Sequence, residues 1–256
     1  MKALFLESPG QYPRFDVKEI PLPKLKSDEV LIKVQACGFC YHDRLIISGQ
    51  LRRGVTFPLV LGHEISGLVV KRGCHVKDLI PGDHVVCLPT DACGLCKNCD
   101  KNKTNQCNKG IALGHNAQGG LAEFVKVRSF SAIKIPDNIG WDQAAILACP
   151  IGVGLEALSL VKATRTKQIA VITGAGGGLG IHLVQLAKMK GFKNLFAEPI
   201  QCGTITADAV KNKLSDKTAL VSIMHVNNEI GCINHIKEIA ELCKDKNIPF
   251  HTDAVQ

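Results

Sequence analysis

Aromatic residues are scarce in this chain of 256 residues: one tryptophan, two tyrosines and nine phenylalanines, 5% in all. No apolar run approaches the ~18 residues that a membrane-spanning helix needs. The opening MKALFLESPG has no long apolar stretch behind its basic residue, so it does not read as a secretory signal. The formal net charge is +8, yet no block of like charge stands out, and the lysines are scattered. The motifs that read RNA or DNA are missing too, so the basic balance reads as solvated surface. Repeats and low-complexity tracts are also absent. These absences predict a cytoplasmic protein with neither nucleic acid nor membrane as partner. A mildly basic surface still favours the approach of an anionic nucleotide.

Cysteine is abundant: twelve residues. In a cytosolic chain they read as metal ligands before disulfides. Valine, isoleucine, leucine and alanine together with 24 glycines suit an α/β protein with a sizeable core.

Two patterns divide the sequence. Up to about residue 140, short apolar segments (EVLIKVQACG, GLVVKRG, DHVVCLP, AEFVKV) alternate with Pro- and Gly-containing turns. That predicts an antiparallel, barrel-like β domain. From Trp141 the periodicity changes. WDQAAILACPIGVGLEALSLVKA has helical spacing, QIAVI reads as a buried strand, and IHLVQLAKMKG is helical again. ITADAVKNKLSD and HIKEIAELCKDKN then read as helices, with TALVSIM and IPFHTDAV as strands. Strands alternating with helices predict a parallel α/β unit.

The strongest local signal is DACGLCKNCDKNKTNQC, which spaces Cys93, Cys96, Cys99 and Cys107 as C-x2-C-x2-C-x7-C. Four thiolates on one short loop suit a closed, tetrahedral structural zinc site. Lys97, Lys101, Lys103 and Lys109 lie among them and would offset the charge of such a centre. A second set lies dispersed: Cys40 in ACGFCYHD, His63 and Glu64 in LGHEISG, and Cys149 in LACPIGVG. A catalytic zinc needs three protein ligands and one open position, and Cys-His-Cys meets that need. Cys37, Cys74 and Cys87 read as core cysteines, and His75, His84 and His115 as structural.

GHEISGLVVKRGCHV matches the zinc signature of the medium-chain alcohol dehydrogenases, G-H-E-x2-G-x5-G-x2-V. CGFC before it, the four-cysteine lobe after it and CPIGVGLEAL further on fit the same family over residues 1 to about 190. The resemblance implies a GroES-like β-barrel-type domain over 1–140 carrying two zinc ions, then the start of a Rossmann domain over 141–192. It implies Cys40, His63 and Cys149 as ligands of the catalytic zinc. Glu64 would be a transient or more distant ligand, and Asp43 would orient His63 through its free ring nitrogen. Where the family commonly has Ser or Thr to pass the alcohol proton outward, this sequence has His42, which can also shuttle protons. The implied chemistry is alcohol oxidation, or its reverse, with zinc as Lewis acid and nicotinamide as hydride partner.

ITGAGGGLGIHLVQLAK places a glycine turn between a strand and a helix, the context a dinucleotide fingerprint requires. Gly177, Gly178, Leu179 and Gly180 would bring backbone to a pyrophosphate at the helix N-terminus. Glu198 stands near the place of the acidic residue that holds ribose hydroxyls. NAD or NADP is therefore the expected organic cofactor. From about residue 191 the sequence instead resembles cysteine desulfurases of the class V aminotransferase type, through TALVSIMHVNNEIG and IPFHTDAVQ. In that family the residues matching Asn228, Asp253 and Gln256 approach pyridoxal phosphate. The sequence contains neither the phosphate turn nor the Schiff-base lysine of that site, so pyridoxal phosphate is not expected.

The expectation as a whole is a mixed α/β chain with a desulfurase-like α/β segment over 193–256. It would have two zincs, a small alcohol or carbonyl compound as substrate, and weak turnover for want of a complete cofactor domain. An inactive zinc-binding fragment and a partial desulfurase-like fragment stand as alternatives. Self-association into a homo-oligomer remains open.

Overall fold

The computed structural model describes residues 1–161, 169–172, 174–195, 197–227 and 231–253. Asn228 and Gln256, and the side chain of Asp253, lie outside the described residues. The chain divides into two compact units, Met1–Cys149 and Pro150–Gln256.

Unit 1 is built from antiparallel strands. In chain order they are β1 (Lys2–Ser8), β2 (Arg14–Glu19), β3 (Glu29–Gly38), helix α1 (Tyr41–Ser48), β4 (Leu59–Val60), β5 (Glu64–Arg72), β6 (His84–Cys87) and β7 (Thr90–Asp91). Helix α2 (Lys97–Asp100), β8 (Ile111–Ala112), β9 (Phe124–Arg128), β10 (Ala132–Lys134) and α3 (Trp141–Ala145) complete it. The main sheet runs β10-β6-β5-β3-β9. β3 is central, between β5 and β9, and Glu29, Val30, Leu31 and Ile32 at its start are buried in succession. Val30, Ile32, Ile65, Val69, Val85 and Val125 form the heart of its core. A smaller sheet has the order β2-β1-β4.

The run from Trp141 is not one helix. α3 ends at Ala145, a wider turn of π type covers Leu147–Ile151, and α4 (Gly152–Ser159) starts after it. Pro150 lies in that turn and has no N–H to continue a helical ladder, which accounts for the break. Cys74 is exposed, not a core residue, whereas Cys87 is fully buried.

Unit 2 continues with β11 (Ile169–Ile172), α5 (Gly178–Met189), β12 (Lys193–Leu195), α6 (Ala207–Lys211), β13 (Thr218–Met224), α7 (Ile236–Asp245) and β14 (Phe250–Asp253). The four strands form one parallel sheet in the order β12-β11-β13-β14. One face is covered through Leu158, Leu183 and Ala187 on Ala170, Ile172 and Leu220. The other is covered through Val210, Ile239 and Cys243 on Val171, Val221 and Ile223. Both faces of β11 and β13 are thus buried, so both strands read as unbroken apolar runs. The chain steps outward from β11 to β12, and in the opposite direction from β13 to β14. The reversal falls between β11 and β13, and the ends of parallel strands at such a switch point form a natural ligand crevice.

Candidate metal centres and nucleotide cleft

The four-cysteine lobe is a loop closed at its base by the short β7–β8 ladder. Ala92 N donates to Ser131 Oγ at 2.9 Å and Arg128 N to Asp91 Oδ1 at 3.0 Å, which tie that base to the main sheet. Sulfurs about 2.3 Å from a tetrahedral zinc lie roughly 3.8 Å from one another. Here the spacings are 3.5 Å for Cys93–Cys107, 3.6 Å for Cys96–Cys99, 3.8 Å for Cys96–Cys107 and 4.0 Å for Cys93–Cys99. All four ligand atoms lie within 4.8 Å of one another. Backbone amides face the sulfurs. The Leu95 N–H holds the Cys93 thiol below its usual value, and those of Cys99 and Asn108 bring Cys96 down to about 6. Burial and the neighbouring thiols instead push the Cys99 thiol up to about 11, so the amides favour thiolate at two positions of a four-sulfur cage whose spacing is that of a tetrahedron and fits zinc.

The dispersed set also converges. Cys40 Sγ, a ring nitrogen of His63, a carboxylate oxygen of Glu64 and Cys149 Sγ lie within 4.8 Å of one another. Cys40 is the N-cap of α1, and Asp43 stands at its third position, where Oδ2 accepts the Cys40 N–H at 2.9 Å. This reciprocal cap fixes Cys40 at the helix start. His63 and Glu64 arrive together at the head of β5, paired there with the end of β3. A side chain at Gly38 would collide with the Glu64 carboxylate, so that carboxylate's place depends on glycine there. Cys149 comes from the π-type turn, with its sulfur 3.6 Å from His63 Nε2.

Electrostatically this is a crowd of acidic groups around one imidazole. Donation from Cys149, with further help from His63, holds the Cys40 thiol down at about 4, while the Cys149 thiol is pushed far up by Cys40 and by burial. Burial and Cys40 also raise the Glu64 carboxyl. A divalent cation would relieve this crowding, and two thiols with one imidazole are the donors zinc prefers.

Asp43 is fully buried. Its Oδ1 accepts the Gly62 N–H at 3.1 Å and lies 3.9 Å from His63 Nδ1. That separation is within ion-pair range but too long for a hydrogen bond. His63 Nδ1 accordingly has no hydrogen-bond partner. His42 lies edge-on to His63, with ring centroids 5.2 Å apart, and its Nε2 is 3.2 Å from His115 Nδ1. Burial lowers His42 to about 4, with the other two imidazoles adding to the effect. His115, read from sequence as structural, is therefore a neighbour of the cluster. No sequence spacing signals a contact across 73 positions.

In unit 2 the glycine turn joins β11 to α5. Gly177 caps the helix, and Gly177 N donates to Gly174 O at 3.0 Å. A Cβ at Gly176 or Gly178 would meet no atom within 4 Å, so the backbone there is open to a ligand. A Cβ at Gly180 would collide with Gly174 O, so Gly180 serves close packing of helix on strand, while Leu179 is half-buried. Beside the turn lies a cleft of about 240 Å³ lined among others by Ala175, Ala197, Pro199, Ile205, Met224 and Asn227. Glu198 is exposed between two of these lining residues. Among the described residues, no helix is long and apolar enough to cross a membrane.

The alcohol dehydrogenase GroES-like domain model matches residues 26–137. The class-V aminotransferase model matches residues 153–256, starting well before the join near 191 expected from sequence and taking in the glycine turn. An acryloyl-coenzyme A reductase of Sulfurisphaera tokodaii is 31% identical over 193 residues, 75% of this chain and 57% of that protein. An NAD-dependent alcohol dehydrogenase of Sulfolobus acidocaldarius is 34% identical over 193 residues, 73% and 55% of the two chains. This chain thus spans little more than half the length of those curated relatives. An alcohol dehydrogenase from Thermus sp. ATN1 shares the fold with a TM-score of 0.81 at 23% identity, over 99% of this chain and 84% of that one. The tail from β12 onward therefore folds as part of a dehydrogenase-like sheet.

Proposed function

We propose that the chain is a zinc-dependent oxidoreductase of the alcohol dehydrogenase type, relating a small alcohol to its aldehyde or ketone with NAD(P) as redox partner. The observation that carries this reading is the convergence of Cys40, His63, Glu64 and Cys149 within one unit, apart from the four-cysteine lobe. A lobe of thiols alone would only staple the fold. The mixed set has three good zinc donors and a carboxylate able to give way to an oxygen ligand. Zinc would supply Lewis acidity to an alcohol or carbonyl oxygen, and nicotinamide would accept or give hydride.

The protein groups have separable tasks. Cys40, His63 and Cys149 hold the ion, with Nε2 of His63 turned toward the sulfurs. Asp43 fixes the start of α1 and faces His63 Nδ1. His42 and His115 form the route by which a proton leaves, in the place of a hydroxyl relay. Cys93, Cys96, Cys99 and Cys107 hold the second ion, away from chemistry. Gly177, Gly178 and Leu179 give a nucleotide phosphate access to the helix start, and Glu198 stands where ribose hydroxyls would favour NAD over NADP.

Metal analysis of protein purified without chelator tests the first part: two zinc ions per chain are expected, and one or none refutes it. A panel of primary and secondary alcohols with both nicotinamide cofactors tests the second. Weak, chelator-sensitive turnover is expected, and turnover that survives chelation refutes the zinc assignment. A rate near ~10 per second, the usual enzyme median, would show a complete cofactor site. An inactive, zinc-stapled chain is the second reading, favoured by a match to little more than half the length of the curated relatives.

A further inference from the structure

The small sheet of unit 1 ends on an open strand. β2 is its edge, paired with β1 on one side and with no strand among the described residues on the other. Met1 and Ile20 exchange both backbone bonds: Ile20 N donates to Met1 O at 2.8 Å, and the terminal Met1 N to Ile20 O at 2.7 Å. In an antiparallel ladder such pairs alternate, so Lys18 and Asp16 face β1 in the same way, opposite Ala3 and Phe5. The N–H and C=O groups of Phe15, Val17 and Glu19 therefore point toward the free edge. Apolar side chains crowd the same edge. Val17 is 63% exposed and Phe15 is exposed beside it, while Tyr12, at 85%, and Leu22 stand exposed just beyond the two ends of the strand. Open backbone groups with apolar side chains are a template for another strand.

The sequence of β2 selects that strand. Two copies of β2 that meet antiparallel about a two-fold axis normal to the sheet are centred on one residue, because opposed side chains share a face. A centre at Asp16 sets aspartate against aspartate and Arg14 against Lys18. A centre at Lys18 sets lysine against lysine. Like charges directly opposed are unfavourable. A centre at Phe15 matches Arg14 with Asp16, but it turns the open groups of Val17 toward Pro13, which has no N–H. A centre at Val17 places valine on valine, with Phe15 diagonal to it on the same face. On the other face Asp16 lies opposite Lys18 of the second copy, and Lys18 opposite Asp16, so both charged pairs are complementary. Phe15 and Glu19 then bond across the edge, and Pro13 and Pro21 fall at the two ends, where the ladder stops. Lys18 pairs with Glu7 at 2.7 Å within one copy. An exposed ion pair of that kind is worth little, so the ammonium is free to exchange partners.

We propose that β2 is an interface with a second copy of this chain, the two strands pairing antiparallel about a two-fold axis at Val17 so that the small sheet continues from one copy into the other. β2 has six residues, against the ~20–30 residues a side of a standard interface, so the dimer comes apart on dilution.

Sedimentation equilibrium of the zinc-loaded chain from ~1 µM to ~1 mM decides it. Monomer at the lower end and dimer at the upper end are expected, and monomer throughout overturns the proposal. Asp16→Lys alone, or Lys18→Asp alone, sets like charges opposite each other at both places and is expected to weaken dimerisation about tenfold or more. Asp16→Lys and Lys18→Asp together restore opposite charges and are expected to return the dissociation constant to within about threefold of the parent. A dimer unmoved by either single change uses another surface and overturns the proposal. Failure of the double variant to recover overturns the register at Val17 and the proposal with it. Both positions lie on the surface, and an unchanged circular dichroism spectrum confirms that each variant is folded.

Discussion

Replacing Cys96 by serine isolates what the four-cysteine lobe contributes. The stretch from Cys93 to Lys109 has little other means of support. Its regular structure is α2, four residues long, and a three-residue 3₁₀ turn at Thr104–Gln106. Cys99 is the one buried residue in it, and Leu95 is 93% exposed. Apolar burial therefore offers almost nothing to hold the loop, and the metal has to do so. Structural zinc in small peptides binds with about 10–16 kcal/mol, so one thiolate in four corresponds to roughly 3 kcal/mol. Such a loss raises the population of the opened loop by about two orders of magnitude, at 1.4 kcal/mol per tenfold. Cleavage of a transiently opened segment follows that population when reclosing is fast. Trypsin has four lysines to attack there, Lys97, Lys101, Lys103 and Lys109. Cys96→Ser should therefore hold its lobe zinc about a hundredfold more weakly, giving it up to a competing chelator before the parent does, and be cut in this stretch about a hundredfold faster, by the same conversion. The main sheet, whose core does not include the lobe, should stay folded. Parent-like zinc retention against chelator and an unaltered digestion rate would refute the reasoning.

His63→Ala should remove only the other ion, leaving one zinc by metal analysis and the tryptic pattern of the parent. Gly177→Val should abolish nucleotide binding with little harm to the fold, because a Cβ there meets only Gly174 O, at 3.4 Å; parent-like titration with ADP would count against the site. Gly180→Ala should destabilise unit 2 by about 1–3 kcal/mol through overpacking on Gly174 O. Hydrogen exchange should then accelerate in β11 and α5 but not in β3.

Legibility from sequence varied with the range of the signal. The strands EVLIKVQACG and TALVSIM appear as β3 and β13 within the limits that their apolar runs suggest. The four-cysteine lobe was visible because its groups share one loop. The second cluster joins residues from positions 40, 63, 64 and 149. No local rule links such distant positions, and only the family signature brought them together. The contact of His42 with His115 had no such signature. The break at Pro150 was hidden by helical spacing on both sides of it, although proline inside the pattern is itself a warning. Residue type alone places Cys74 in the core, yet it is exposed, because residue type does not specify the face on which a turn places a side chain.

The two resemblances in the sequence do not correspond to two structural units. β11, which carries the glycine turn, is paired on one side with β12 and on the other with β13. Ala170, Val171 and Ile172 are fully buried, packed into clusters on both faces of the sheet. Without β13, one side of β11 would expose unpaired backbone groups, and Ile172 would lose Leu220 from its cluster. The dehydrogenase-like turn thus depends for its shape on strands whose sequence resembles another family. The dependence extends to the cleft, because Met224, which ends β13, lines it beside Gly174. A segment fitted by its apolar pattern can complete a sheet, since burial is indifferent to ancestry. The loops at the strand ends are not chosen by burial, and there Met224 and Asn234 shape the cleft.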